Sequence, residues 1–237
     1  MSWLSTTLTS SIGRKLVMGL TGLFLVSFLF VHGLGNLALF KNDGGMAFNA
    51  YTVFMTTSPI IRVMEIFLVA GFGFHIYTAL TLTNKNKAAR PQQYAYKKSS
   101  PGVTWFSQNM GTSGMVILVF LILHLINFYA EYHYGLMYDG VIPMVDITTG
   151  DHTVHVRNMY EIVKTVFQQQ WWVSVLYVGS MVLLGMHLAH GFQSAFKTFG
   201  IEHKKYTPAI SSIGNVISVL IPALFASMPL YFLLTGL

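Results

Sequence analysis

No cysteine occurs among the 237 residues. That absence excludes disulfides, C-x-x-C-H covalent attachment of haem, and iron–sulfur clusters held by the chain's own thiolates. Charge is scarce as well: 9% of residues are charged and 53% are hydrophobic, where a soluble domain carries about 25% charged residues. No glycine-rich dinucleotide fingerprint is present, and no fixed-period repeat. An ordinary soluble enzyme domain is excluded on composition alone.

What is present is a set of long apolar runs. Five of them, Leu16–Phe40, Pro59–Thr83, Thr104–Ala130, Gln170–Phe196 and Ala209–Thr235, are each long enough to cross a hydrocarbon core, which takes about 20 residues. The expectation is an all-α integral membrane protein, one membrane domain over 1–237 with five spans and no room for a soluble catalytic domain. Arg14 and Lys15 precede the first run as they would in a secretory signal, but the run continues to Phe40, well past the 7–15 residues of a signal core.

Charge sets the expected orientation. Ten of the fourteen Lys and Arg residues fall in three alternate segments: Arg14 and Lys15; Lys85, Lys87, Arg90, Lys97 and Lys98; and Lys197, Lys204 and Lys205. The opposite segments hold Lys41, Arg62, Arg157 and Lys164, with seven of the eight acids: Asp43, Glu65, Glu131, Asp139, Asp146, Asp151 and Glu161. By the positive-inside rule the N-terminus is cytoplasmic and the C-terminus outside. The net charge of +6 then reflects topology and gives no support to nucleic-acid binding. The basic loops, with Lys97-Lys98 and His203, are equally suited to docking partner subunits and to enforcing topology.

The connections carry their own signals. Asp43-Gly44-Gly45 marks a turn, and Met46–Met55 with Phe48, Tyr51 and Phe54 suits a short interfacial helix. In the long outer connection, about 131 to 169, the spacing of Val156, Met159, Tyr160, Val163, Val166 and Phe167 predicts an amphipathic helix lying on the membrane surface. Trp171 and Trp172 mark the interface where the fourth span starts. The fifth span has no histidine; Pro222 and Pro229 make it a kinked, bundle-filling helix.

Four histidines lie deep in the apolar runs, one on each of the first four: His32, His75, His124 and His187. An intramembrane ionisable residue is costly and marks a pathway or ligand site more often than chance, although a single one commonly serves as an interhelical hydrogen-bond partner. Depth separates these readings. His75 lies ten residues before Lys85, and His187 ten before Lys197, about 15 Å below the cytoplasmic boundary at about 1.5 Å per residue. His32 lies eight before Phe40, and His124 eight before Tyr132, about 12 Å from the outer boundary. Two level pairs suit two haems with paired axial imidazoles, whereas zinc needs four ligands converging on one point. Such pairs leave no open coordination position, which favours electron transfer. Gly71 and Gly191 stand four residues from His75 and His187 on the same faces, where missing side chains would admit a flat macrocycle. His190 shares the face of His187 and stands as the alternative ligand or as a donor to a haem propionate.

With these residues in view the chain resembles a known family, the five-helix, di-haem cytochrome b subunit of succinate:quinone oxidoreductases and fumarate reductases. The resemblance rests on Ser11-Ile12-Gly13-Arg14-Lys15 leading to Phe30-Val31-His32, Ala47-Phe48-Asn49, and Glu65-Ile66-Phe67 before His75. His124 in its run, and His187-Leu188-Ala189-His190-Gly191 followed by Phe199-Gly200-Ile201, complete it. It covers essentially the whole chain. The resemblance implies a multi-pass anchor in a bacterial cytoplasmic membrane that binds two haem b groups and a quinone. It also implies a flavoprotein (FAD) and an iron–sulfur subunit docked on the cytoplasmic side. Carried over by position, His75 and His187 hold the proximal haem and His32 and His124 the distal one; His190 and Arg14 are candidates for propionate contact. The expected function is electron transfer from the iron–sulfur partner through both haems to menaquinone, with quinol:fumarate reductase as the same assembly reversed. A di-haem anchor for formate or hydrogen oxidation, a small transporter, and a cofactor-free membrane protein are the alternatives. Quinone is expected near the distal haem, at the outer ends of the first and second spans. Glu65 is there either a proton relay or the partner of Arg62 in an i, i+3 surface pair.

Overall fold

The computed structural model describes residues 10–89, 105–138, 141–149 and 152–236. Arg90, Lys97, Lys98, Asp139 and Asp151 of the charge pattern, and Thr104 at the expected start of the third span, lie outside the described residues.

The protein is all-α in its spans: five helical stretches, Ser11–Phe40, Pro59–Ala88, Met110–Tyr134, Trp171–Thr198 and Thr207–Thr235, are long and apolar enough to cross a membrane. The first consists of α1 (Ser11–Asn36) and a closing 3-10 turn (Leu37–Phe40). It starts earlier than expected because Ser10 caps it, its hydroxyl oxygen accepting from Gly13 N at 3.0 Å, which satisfies one of the orphan amides of the first turn. After α2 (Met46–Thr57), α3 (Pro59–Ala88) runs five residues beyond the expected Thr83 and carries Lys85 and Lys87 in its last turn. There their charge complements the negative end of the helix dipole.

The third span is the least regular. A single turn, α4 (Trp105–Gln108), precedes α5 (Met110–His124). The chain then widens into a π-helical stretch, Leu125–Ala130, before α6 (Glu131–Tyr134). Gly135, at φ +61, ends the helix by donating its N–H to Glu131 O at 2.9 Å, a left-handed stop that glycine adopts without strain. After α7 (Met159–Gln169) come α8 (Trp171–Thr198) and α9 (Thr207–Thr235); α9 passes Pro222 and Pro229 without a break.

The chain falls into two compact units. One comprises Leu29–Glu65, Val116–Leu183 and Ile221–Leu237. It holds the principal hydrophobic core, built from residues that include Leu39, Phe48, Phe128, Ile162, Val166, Phe167, Tyr177 and Phe232. The long connection between the third and fourth spans contributes Tyr138, Ile142, Ile162, Val163, Val166 and Phe167 to it. That connection contains one element the all-α expectation lacked, an antiparallel hairpin of β1 (Met144–Thr149) and β2 (His152–Arg157) with Asp146 opposite His155. Val156 is therefore in a strand, outside the helix assigned to it from spacing. The amphipathic helix itself is α7, but its apolar face is turned to protein, with Ile162, Val163, Val166 and Phe167 buried. Phe128, Tyr177 and Phe232 of the spans cover that face.

Polar bonds fix this core. Asp43 accepts from Gly45 N and Ala47 N, each at 3.0 Å, and so starts α2. Asn49, buried, donates to Asn158 Oδ1 at 2.9 Å and accepts from Tyr160 N at 3.1 Å, while Asn158 Oδ1 also caps α7 through Glu161 N. Glu131 is fully buried, and its carboxylate accepts from Met137 N (2.7 Å) and Tyr138 N (3.2 Å).

The other unit comprises Met1–Phe28, Ile66–Met115 and Leu184–Leu220. Its helices meet through small residues: a Cβ on Gly71 would come within 2.9 Å of the Phe24 ring, and one on Gly214 within 2.9 Å of Phe192. Close approach at glycine is how membrane helices pack when lipid offers no hydrophobic drive. Outward faces stay apolar, with Ile66, Val69 and Tyr77 exposed.

Candidate functional site

The two units each bring one pair of the intramembrane histidines together. His75 on α3 and His187 on α8 have ring centroids 6.4 Å apart and planes at 67°. His32 on α1 and His124 at the end of α5 have centroids 5.9 Å apart and planes at 90°. A metal–imidazole nitrogen bond of about 2.0–2.1 Å, with the ring centre about 1.1 Å beyond the nitrogen, puts two rings on opposite sides of one metal about 6.3 Å apart. Both pairs stand close to that separation. No group of three or more His, Cys, Asp or Glu converges among the described residues.

Around the first pair each histidine meets a hydroxyl from another helix. Thr21 Oγ1 on α1 lies 3.1 Å from His75 Nδ1, and Ser113 Oγ on α5 lies 3.3 Å from His187 Nδ1. The residue after each hydroxyl is a glycine beside the same ring. A Cβ on Gly22 would stand 3.4 Å from His75 Cε1, and one on Gly114 3.6 Å from His187 Cε1. Gly71 and Gly191, singled out from helix spacing, do not stand beside a histidine ring. Phe24 occupies the space before Gly71, and a Cβ on Gly191 would meet only Met110 Cε at 3.9 Å. Spacing along one helix shows which residues share its face, but the neighbouring helix decides what that face meets.

The second pair is walled by aromatics. The Phe225 ring lies 5.5 Å from His32; Phe128, Phe120 and Tyr177 lie 5.2, 5.8 and 6.2 Å from His124. Tyr177 is itself held by Asn127, whose amide donates to its hydroxyl at 3.1 Å. Asn36 Nδ2 lies 3.3 Å from His32 Nε2, one helical turn along α1. Among the described residues, the Nδ1 of His124 is buried without a hydrogen-bond partner. An orphaned ring nitrogen in an apolar wall is costly unless something ligates or bonds the ring.

His190 is not part of either pair. Its Nε2 lies 3.0 Å from Ser194 Oγ on its own helix. Arg14 is half-buried in the first turns of α1, and among the described residues its guanidinium has no hydrogen-bond or ion-pair partner. Glu65 forms the i, i+3 pair with Arg62 at 2.8 Å. Thr21, Ser113, Asn36 and the aromatic wall escaped the reading of the sequence, because a hydroxyl or a phenyl ring in an apolar run is ordinary until its neighbour is known.

Tested against family models, curated proteins and solved structures, the chain matches none of them.

Proposed function

We propose that this chain is the membrane anchor and electron-transfer subunit of a succinate:menaquinone oxidoreductase, a cytochrome b in a bacterial cytoplasmic membrane. In this reading His75 and His187 would hold one b haem, and His32 and His124 another. The single observation that carries the reading is the two separate imidazole pairs, each at the spacing of two rings on one metal. When bound, the haems supply reversible one-electron carriage between iron(II) and iron(III). The chain's own residues hold the imidazoles in place and keep water from the pair at His32 and His124 through Phe120, Phe128, Tyr177 and Phe225. Two histidines per iron leave no position for oxygen, so the site is one for electron transfer. The flavoprotein (FAD) and iron–sulfur subunits dock at the cytoplasmic face, where the basic segments lie by the positive-inside rule. Succinate is oxidised on those subunits, and quinone takes the electrons near His32 and His124, with Glu65 at the outer end of α3. The same assembly reversed is a quinol:fumarate reductase.

A reduced-minus-oxidised visible spectrum of the purified chain, expressed with haem supplied, is the direct test. Two b-type haems per chain are expected. A featureless spectrum overturns the reading and turns the histidines into interhelical hydrogen-bond partners. The placement of the quinone has its own test in energised vesicles. Moving an electron toward a positive outside is downhill by about 2.3 kcal/mol per 100 mV for a full crossing, so an uncoupler is expected to slow succinate oxidation. An unchanged rate moves the quinone to the His75 and His187 haem.

A further inference from the structure

We infer that Thr21 and Ser113 are positioning residues whose hydroxyls hold His75 and His187 as Nδ1–H tautomers and so present both Nε2 lone pairs to one shared metal. That the metal is haem iron rests on the proposed function; the tautomers are a property of the chain itself.

The argument is a count of protons. A hydroxyl has one. That of Thr21 is directed at Val17 O (2.7 Å), with Met18 O at 3.2 Å, and that of Ser113 at Met110 O (3.1 Å). With its proton committed, each oxygen has only lone pairs for the imidazole nitrogen beside it, at 3.1 Å from His75 and 3.3 Å from His187. The ring must therefore donate. A neutral imidazole has one N–H, so placing it on Nδ1 leaves Nε2 as a bare acceptor. Back-bonding of Ser and Thr to a carbonyl three or four residues earlier is common in apolar helices and by itself would mean nothing. What it does not explain is that both oxygens meet the Nδ1 of a histidine on a different helix. Nor does it explain that both hydroxyls are followed by a glycine that leaves the Cε1 edge of the ring uncovered. A second partner on the non-ligating nitrogen fixes ring orientation and raises ligand basicity, and its removal costs about 10- to 100-fold in metal affinity. At the other pair, Asn36 Nδ2 lies 3.3 Å from His32 Nε2.

The experiment uses the full-length chain in lipid nanodiscs, unmodified and as Thr21→Val, Ser113→Ala, Thr21→Ser and Ser113→Thr. Nitrogen-15 spectra of histidine-labelled, haem-free protein read the tautomers directly. The unmodified chain is expected to show His75 and His187 protonated on Nδ1. Thr21→Val and Ser113→Ala should each convert their own histidine to a mixture, and the hydroxyl-retaining variants should restore it. In haem-loaded protein, Thr21→Val and Ser113→Ala should each weaken one haem by about 10- to 100-fold and raise its midpoint potential, because a less basic imidazole favours iron(III) less. The other haem stays as it was and reports that the variant is folded. Nε2–H tautomers in the unmodified chain, or tautomers indifferent to both substitutions, overturn the inference. A chain that takes up no haem but shows the expected tautomers overturns the proposed function alone.

Discussion

His75 and His187 are each met by a hydroxyl from another helix, whereas His32 and His124 stand among four aromatic rings with centroids 5.2 to 6.2 Å away. The two arrangements specify different things. A hydrogen bond to Nδ1 decides which nitrogen the ring presents, with few packed neighbours needed. Aromatic packing decides where the ring sits and is indifferent to which nitrogen carries the proton. The surrounding units differ in the same sense. The unit with the aromatic pair contains the principal core and the buried polar clamp of Asn49 and Asn158. In the unit with the hydroxyl-anchored pair, helices touch at Gly71 and Gly214. Chemistry placed in a dense core can rely on shape, while chemistry placed between bare helices needs directional bonds.

The largest effect that would break this comparison is loss of a whole cofactor. His75→Ala or His187→Ala is expected to remove one and the same haem, and His32→Ala or His124→Ala the other, read as a fall from two haems to one per chain. Loss of both from a single substitution would show that the two sites do not stand alone. Next in size is Phe167→Ala, which empties a buried position against Phe128 and Tyr177. It should cost about 3–5 kcal/mol, and the haem at His32 and His124 should melt first when thermal loss is followed at each haem band. Asn36→Leu removes the amide that stands 3.3 Å from His32 Nε2. With a net hydrogen bond worth about 1 kcal/mol, haem titration should show that site tightening by roughly fivefold, with the site at His75 unchanged. Smallest is Glu65→Gln, whose pair with Arg62 on the helix surface is worth about 0.5 kcal/mol at most. Calorimetry should show a shift of no more than that. A fall in quinone reduction out of proportion to it would give the carboxylate a part in proton delivery.

The spans were legible because a run of 25 residues with little or no charge has few other uses, and the expected depths of the histidines followed by counting from their ends. The hairpin was legible in principle. Val145, Ile147, Val154 and Val156 alternate with Asp146, Thr148, Thr153 and His155, a period of two, yet Val156 also fitted the helical spacing of the residues after it. Glu131 gave no sign of burial, since an acid at the end of an apolar run looks like an interfacial charge; two backbone amides six and seven residues later made its burial possible. The hydroxyl partners lay outside what periodicity can report. Thr21-Gly22 and Ser113-Gly114 are unremarkable in their own helices, and their meaning is set by which helix each one faces.

The wide turn at Leu125–Ala130 makes the third span a helix of two phases. Each residue of an α-helix advances the side chain by about 100°, and a π-helical turn absorbs roughly one residue beyond the α count. His124 lies before that extra residue and Glu131 after it, so the ring that faces His32 and the carboxylate that gathers the amides of Met137 and Tyr138 are aimed by different registers of one rod. A deletion of one residue between Leu125 and Ala130 would take out the residue that the wide turn absorbs, and the span would close as a plain α-helix with both of its ends still aimed as before. A one-residue deletion in plain α-helix would instead turn one end against the other by about 100°. The wide turn is thus the one place where the span can lose a residue and keep both the histidine pair and the buried acid.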